Sequence, residues 1–207
     1  CAWAGSQKYG ALVWSGDVPS TFTYLKCQVK AGLNMGLAGI PWWTADIGGF
    51  HGGNANDPKF RELLLRWFQY GTFCPVMRLH GDRDPHKKPI GTTGGGICPS
   101  GADNEIWSYG PEAEEMMIRY INIRERMKPY IEKMMKEAHE KGTPAIKPLF
   151  YDFPEDKRAW EEEEAYLFGH DLLVSPVTEE GATSKSVYLP AGVKWTEVYT
   201  GKVYEGG

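Results

Sequence analysis

The stretch Leu37-Ala-Gly-Ile-Pro-Trp-Trp-Thr-Ala-Asp46 is a short apolar run that ends in a carboxylate. Apolar runs of this kind are typical of strands in a parallel sheet that is buried on both faces. A similar run, Tyr9–Trp14, precedes it and leads to Asp17, and a third, Phe73–Met77, follows it and leads to His80. The chain thus repeats one pattern three times, an apolar strand followed by a polar side chain.

Helical segments separate the three predicted strands. The first carries Phe22, Leu25, Val29 and Leu33 at intervals of three or four residues, after a Ser or Thr that can cap a helix. Before the second, Asp57-Pro58 supplies an N-cap and a proline at the first helical position. This alternation predicts an α/β fold with a parallel sheet.

Asp17, Asp46 and His80 are 29 and 34 residues apart, about one strand–helix unit each. In a (β/α)8 barrel, residues at the carboxyl ends of the strands face the active site. An open doubly wound sheet is the alternative, but no phosphate-binding glycine fingerprint opens a helix here. The barrel is therefore favoured, and an enzyme acting on phosphorylated sugars is disfavoured for the same reason.

The remainder of the chain divides into a loop, a helical part and a β part. Residues 81–109 are predicted to be a long loop, and a helix is expected to begin at Pro111, to be interrupted at Pro129 and to end at Gly142. We predict a barrel domain over residues 1–142 and an all-β module over residues 143–207. Its predicted strands are Phe150–Phe153, Tyr166–Val177, Ser186–Leu189 and Trp195–Tyr199.

Composition and charge exclude several classes of partner. The 23 basic and 27 acidic residues give a net charge of −4 without a basic cluster, which argues against nucleic acid and an anionic membrane surface. No apolar run approaches the ~18 residues of a membrane span. We expect no metal site, since the polar loop His80–His86 lacks the spacing of metal ligands. The four cysteines are widely spaced and form no C-x-x-C pair: Cys1, Cys27, Cys74 and Cys98. We therefore expect free thiols and a cytoplasmic location.

Five segments, in order and at fitting spacing, carry a family resemblance: Ala4–Asp17, Gly39–Phe50, Arg78–His80, Gly169–Pro176 and Leu189–Trp195. Together they closely resemble glycoside hydrolase family 31, the α-glucosidase and α-xylosidase family. The resemblance implies the second half of a (β/α)8 TIM barrel, followed by an incomplete β-sandwich module, the start of the proximal C-terminal β-domain.

The same resemblance implies roles for five side chains. Asp17 corresponds to the general acid/base, and a glycosidic oxygen does need protonation as its bond breaks. Asp46 corresponds to a carboxylate that accepts hydrogen bonds from sugar hydroxyls in the −1 subsite, and His80 to a donor to the same sugar. Trp14 and Phe50 correspond to aromatic residues that line the pocket and pack against the apolar faces of sugars.

Without the resemblance, each of these residues has a plainer structural interpretation. Asp17 could cap the following helix or close a Ser-Gly-Asp turn, Asp46 could bind loop amides, and His80 could be a structural histidine. Either aromatic ring could belong to the barrel core. Arg78 is interpreted as an ion-pair partner beneath the site, and the acidic run Glu161–Glu164 as a solvated turn.

The resemblance predicts a retaining, exo-acting hydrolase of terminal α-linked glucosyl or xylosyl residues that needs no cofactor. Its partner would be an oligosaccharide or another α-glycoside. Retention requires a second carboxylate as nucleophile, and in this family that Asp belongs to an earlier strand motif that is absent from these residues. We therefore expect a fragment.

Two alternatives stay open. The chain could be an inert half-barrel with at most carbohydrate binding, whose bare sheet edges favour homo-oligomers. It could also come from a transglycosylase or lyase of the same family.

Overall fold

The computed structural model describes residues 5–207. Cys1 and the first residue of the Ala4–Asp17 motif therefore lie outside the described residues. Within the described range the α-helices are α1 (Phe22–Leu37), α2 (Pro58–Thr72), α3 (Pro111–Arg126) and α4 (Lys128–Lys141). None of them is long and apolar enough to cross a membrane.

The strands are short. Those in the first half are β1 (Val13–Trp14), β2 (Trp43–Thr44), β3 (Gly53–Asn54) and β4 (Arg83–Asp84). Those in the second half are β5 (Ile146–Pro148), β6 (Tyr166–Phe168), β7 (Leu172–Val174), β8 (Lys194–Thr196) and β9 (Val203–Glu205).

The predicted helix boundaries rest on local capping, and the structure confirms them. The Thr21 hydroxyl accepts a hydrogen bond from the Tyr24 N–H at 3.2 Å, and the Asp57 carboxylate accepts one from the Lys59 N–H at 2.9 Å. Both contacts satisfy amides that the first helical turn leaves without an intrahelical acceptor. At the other end of the helical region, Gly142 adopts a left-handed conformation with φ of 73° and ends α4.

Parallel pairing of β1 with β2 is observed, with Val13 opposite Trp43 and Trp14 opposite Thr44. The predicted strands Tyr9–Trp14 and Leu37–Trp43 were too long. A 3-10 helix occupies Ser6–Tyr9, and α1 continues to Leu37 before the chain turns.

The predicted strand Phe73–Met77 is wrong, because no strand forms there. Helix α2 continues to Thr72, the chain turns through residues 73–76, and residues 77–80 then have no regular secondary structure. Two isolated backbone hydrogen bonds connect this segment to β2 and the residues after it. Val76 N–H donates to Trp43 O and Ile47 N–H donates to Arg78 O, both at 3.1 Å. Pro75 cannot donate to a ladder, and the Arg124 guanidinium binds the carbonyls of Thr72, Cys74 and Pro75 instead.

The predicted loop over residues 81–109 contains more structure than expected. Strand β4 pairs in parallel with β3, so that Arg83 lies opposite Gly53. Two 3-10 helices, Gly94–Ile97 and Ile106–Tyr109, follow within the same stretch.

The all-β prediction for the last third is confirmed in outline and wrong in two segments. Strands β5, β6 and β7 form an antiparallel sheet, and β8 pairs with β9. The predicted strand Phe150–Phe153 is replaced by a 3-10 helix at Leu149–Tyr151, and Ser186–Leu189 forms no strand. Tyr166–Val177 divides into the β6–β7 hairpin because Gly169, with φ of 67°, turns the chain.

One core joins the helices to the first sheet of the β part. Leu25 of α1, Trp67 of α2 and Met117 of α3 pack in the same buried cluster as Tyr166 of β6. Close packing of α1 on β2 requires Gly32, because a methyl group there would lie 2.6 Å from the Trp43 indole nitrogen. The strand–helix part and the β part therefore share a hydrophobic interior.

The acidic run Glu161–Glu164 is not simply a solvated turn. The Glu164 carboxylate lies 2.7 Å from the Lys26 ammonium on α1 and 3.0 Å from that of Lys185, and it also accepts a bond from the Thr178 hydroxyl. Although burial opposes the charged form, these donors lower the pKa of Glu164 from 4.5 to about 2. This carboxylate ties α1 to the β part.

Replacing Glu164 with Gln is therefore expected to reduce the free energy of unfolding by about 1–3 kcal/mol at pH 7, the upper end matching the pKa shift. Because the folded-state pKa is the lower one, wild type and variant should converge as the pH falls from 4.5 toward 2. Chemical unfolding across pH 2–7 measures the difference. The exposed neighbour Glu161, replaced with Gln, is the control and should change little; a pH-independent difference at Glu164 would contradict the ion-pair explanation.

Candidate functional site at the strand ends

The loops that follow the parallel strands are bound to one another by backbone hydrogen bonds. The Phe50 N–H donates to Val18 O at 2.7 Å, and the Asp82 N–H donates to Phe50 O at 2.8 Å. The closest approach is at Gly49, where a Cβ would lie 2.8 Å from Pro19 O. The three predicted strand-end positions are thus brought to one edge of the structure.

Asp46 is fully buried at this edge, directly after β2. The Arg78 guanidinium lies 3.1 Å from its Oδ1, which confirms the predicted ion pair, but the N–H directions are not aligned on the oxygen. Neither carboxylate oxygen accepts an aligned hydrogen bond from residues 5–207. Since buried polar atoms are nearly always hydrogen-bonded, Asp46 has unused acceptor capacity, and the interpretation that it binds loop amides is wrong.

Electrostatics link Asp46 to the other strand-end residues. Burial raises the pKa of Asp46 above its usual value, and the negative charge of Asp17 raises it further. Electrostatic interactions with Arg78, His80 and Arg83 lower this pKa. Asp46 therefore lies among ionisable groups from all three predicted strand ends.

Asp17 stands in the loop after β1 with an exposed side chain. Gly16, with φ of 76°, turns the chain immediately before it. The helix cap of α1 is Thr21, so the alternative in which Asp17 caps this helix is excluded. The carboxylate is thus free of a capping role and faces solvent at the site edge.

The aromatic residues and His80 lie in the same region. The Phe50 ring is 5.6 Å from the His80 ring and 4.7 Å, edge-on, from that of His51. Trp14 is 41% exposed, so it is not a core residue. Sugar rings commonly pack on aromatic surfaces of this kind.

Sequence reasoning missed two residues of this region. His51 follows Phe50 directly, and its backbone binds the loop after β1 through Val18 O and the Ser20 N–H. Arg83 was assigned to a loop, yet its side chain is fully buried behind the site. Only the position of His51 beside a motif residue could have indicated it, and no sequence signal distinguished Arg83.

The polar loop after His80 is organised by histidine–carboxylate contacts. His86 Nε2 lies 2.8 Å from the Asp82 carboxylate, whose hydrogen bond raises the pKa of His86. Across residues 5–207 the His, Cys, Asp and Glu side chains form no group of three or more that is suited to a metal ion. Cys27, Cys74 and Cys98 are free thiols, and burial raises the pKa of Cys74 to about 12.

Two family models match the chain. Residues 1–134 match the Glycosyl hydrolases family 31 TIM-barrel domain, and residues 142–207 match the Glycosyl hydrolase family 31 C-terminal domain. The predicted division between residues 142 and 143 stays a prediction.

Similar proteins are substantially longer than this chain. An alpha-xylosidase of Saccharolobus solfataricus is 37% identical over all of the chain, which spans 26% of that protein. Alpha-glucosidase 2 of Bacillus thermoamyloliquefaciens is 32% identical over 99% of the chain and 23% of its own length. The structure of a GH31 alpha-xylosidase from a soil metagenome, complexed with xylose, superposes with a TM-score of 0.96 at 56% identity, over the whole chain and 31% of that protein.

Proposed function

The chain belongs to glycosyl hydrolase family 31, and we propose that its full-length protein hydrolyses terminal α-linked xylosyl or glucosyl residues with retention of configuration. The expected fold, part of a TIM barrel followed by the C-terminal domain, is confirmed. Asp17 is the proposed acid/base, Asp46 and His80 bind the terminal sugar, and Trp14 and Phe50 line its pocket. The substrate is an α-glycoside or oligosaccharide.

The observation that carries this proposal is that two carboxylates with different exposure follow the neighbouring strands β1 and β2. Asp17 is exposed, whereas Asp46 is buried with acceptor capacity that residues 5–207 do not use. A buried carboxylate suits a neutral sugar hydroxyl, which donates a charge-assisted hydrogen bond. An exposed carboxyl group can exchange its proton with the leaving group and with water.

The proposed reaction has two displacement steps. In the first, the Asp17 carboxyl group donates its proton to the glycosidic oxygen as the bond to the anomeric carbon breaks, and a second carboxylate attacks that carbon. In the second, the Asp17 carboxylate removes a proton from water, which attacks the anomeric carbon and releases the enzyme nucleophile. We assign the nucleophile to residues outside this chain, since Asp46 is enclosed and paired with Arg78.

Xylose is the first sugar to test. A similar structure at 56% identity is described as an alpha-xylosidase complexed with xylose, and an alpha-xylosidase is among the relatives that match the whole chain. We propose that xylosyl residues are preferred to glucosyl residues at the terminal position.

The full-length protein is expected to release p-nitrophenol from p-nitrophenyl α-xyloside faster than from the α-glucoside, whereas the 207-residue chain alone should release none. Absorbance measures turnover, and proton NMR identifies the first sugar product, which is the α anomer for a retaining enzyme. Turnover by the chain alone would contradict the assignment of the nucleophile. Release of the β anomer, or no turnover of either glycoside by the full-length protein, would refute the proposed function.

Two further expectations about the full-length protein are also proposals. The free thiols are in keeping with a bacterial cytoplasmic location, which cell fractionation would test. The second is that the protein associates into a homo-oligomer, which light scattering would measure.

A further inference from the structure

The Arg83 guanidinium, fully buried behind the strand ends, binds three backbone carbonyls. Its Nη1 donates to Gly49 O at 2.8 Å, and its Nη2 donates to Ile47 O at 2.8 Å and to His80 O at 3.1 Å. The first two carbonyls belong to the loop that carries Asp46 and Phe50, and the third belongs to His80 itself. One side chain therefore connects the backbones of two separate strand ends.

The surroundings of Arg83 are built around its planar group. Nε donates to the Asn104 side-chain oxygen at 3.4 Å, and the guanidinium lies 4.9 Å from the centre of the Phe60 ring. Space for it depends on glycine, because a Cβ at Gly48 would lie 2.7 Å from Nη2 and one at Gly81 would lie 2.5 Å from the guanidinium. The fit is thus specific to a flat group with several donors.

Arg83 is also buried without a carboxylate partner. Among residues 5–207 no carboxylate oxygen lies within 4 Å of its guanidinium. Burial lowers the pKa of Arg83 because it disfavours the charged form, while the negative charges of Asp46 and Asp82 act in the opposite direction without a direct ion pair. Departures of this kind from the usual rules of burial are concentrated at functional sites.

We infer that Arg83 is a positioning residue of the glycosidase site, which holds Asp46, Phe50 and His80 at the spacing that one sugar ring requires. The inference rests on the proposed function for the identity of the ligand. Arg83 touches no substrate in this role and acts only through the backbone. Its loss would let the two strand ends move apart, and a displacement of about 1 Å at a reacting group can lower the rate about 10²-fold.

Arg124 on α3 provides a matched comparison. Its partly buried guanidinium also binds three carbonyls, those of Thr72, Cys74 and Pro75, at 2.6 to 2.8 Å. These carbonyls belong to the end of α2 and the turn that follows it, and none belongs to the segments that carry Asp17, Asp46 or His80. Both arginines therefore brace the backbone with the same chemistry, but only Arg83 does so at the strand ends that carry the site.

The test compares Arg83→Lys, Arg83→Met and Arg124→Met in the full-length protein. Rates are divided by the folded fraction from circular dichroism. With Arg83 replaced, kcat/KM should fall about 10- to 100-fold, the range typical of residues that orient a site through others. The loss should be equal for p-nitrophenyl α-xyloside and α-xylosyl fluoride, because the sugar rather than the leaving group is misplaced. Arg124→Met should lower the unfolding midpoint and leave kcat/KM within about twofold of wild type.

A double-mutant cycle with His80→Ala separates positioning from general damage. If Arg83 acts through His80, the combined variant should lose less than the product of the two single losses. Arg83 variants with kcat/KM within twofold of wild type, equal losses at Arg83 and Arg124, or independent losses at Arg83 and His80 would each overturn the inference. If Arg83→Met does not fold, the kcat/KM of Arg83→Lys tests the inference by itself.

The binding of free xylose, monitored by tryptophan fluorescence, tests the inference independently of catalysis. The Arg83 variants should bind xylose at least 10-fold more weakly than wild type and Arg124→Met, and equal binding would overturn the positioning role. A wild-type protein that binds xylose but hydrolyses no glycoside would refute the proposed function alone.

Discussion

Replacing Asp17 with Asn in the full-length protein is expected to lower kcat/KM for α-xylosides with poor leaving groups by roughly 10²- to 10⁴-fold, the contribution of a positioned general acid. The exposed carboxyl group stands in the loop after β1, near the residues proposed to bind the sugar, and the isosteric amide cannot donate an acidic proton to the glycosidic oxygen. Fluoride leaves without protonation, so α-xylosyl fluoride should form the glycosyl-enzyme at a rate much closer to wild type.

The measurement is a comparison of initial rates on a natural xyloside and on the fluoride, with pre-steady-state detection of fluoride release. Asp57→Asn is the matched control, since it makes the same change at an exposed carboxylate, and asparagine also caps helices well. Its activity on both substrates should equal that of wild type. Equal losses on the two substrates for Asp17→Asn would show that Asp17 binds or orients the sugar and is not the acid.

The second large effect is expected at Asp46. Asp46→Asn should lower kcat/KM by about 10²-fold or more on both the natural xyloside and the fluoride, because charge-assisted hydrogen bonds contribute roughly 1.5–3 kcal/mol each. The loss falls on sugar binding in the transition state, so it should not depend on the leaving group. That independence distinguishes Asp46 from Asp17.

Stability should move in the opposite direction at this position. Burial raises the pKa of Asp46, so the carboxylate becomes increasingly unfavourable to folding as the pH rises above its unfolded value of 3.8. Asp46→Asn removes this buried charge and should raise the thermal unfolding midpoint at pH 7 while activity is lost. Arg78→Met is the comparison, since it leaves the buried carboxylate without its ion-pair partner and should lower the midpoint. A large loss of stability in Asp46→Asn would mark Asp46 as a structural residue.

Predictions from the sequence were accurate where the signal is local. Helices α1 and α2 begin directly after the predicted caps Thr21 and Asp57, and α4 ends at the predicted Gly142. Each of these residues forms a hydrogen bond with a backbone group no more than four positions away. Prediction failed where a distant group replaced the expected partner. The segment Phe73–Met77 has the composition of a strand, but Pro75 and the carbonyl contacts of Arg124 prevent a ladder there.

The positions of helices α1 to α4 and of β1 and β2, and the three polar positions Asp17, Asp46 and His80, could be predicted from the sequence alone. Periodicity and capping encode these features in neighbouring residues. Only the tertiary structure showed that Asp46 is enclosed, that Glu164 holds α1 and that Arg83 connects two strand ends. Each of these depends on contacts between residues far apart in the chain, whose distances and burial no local pattern records.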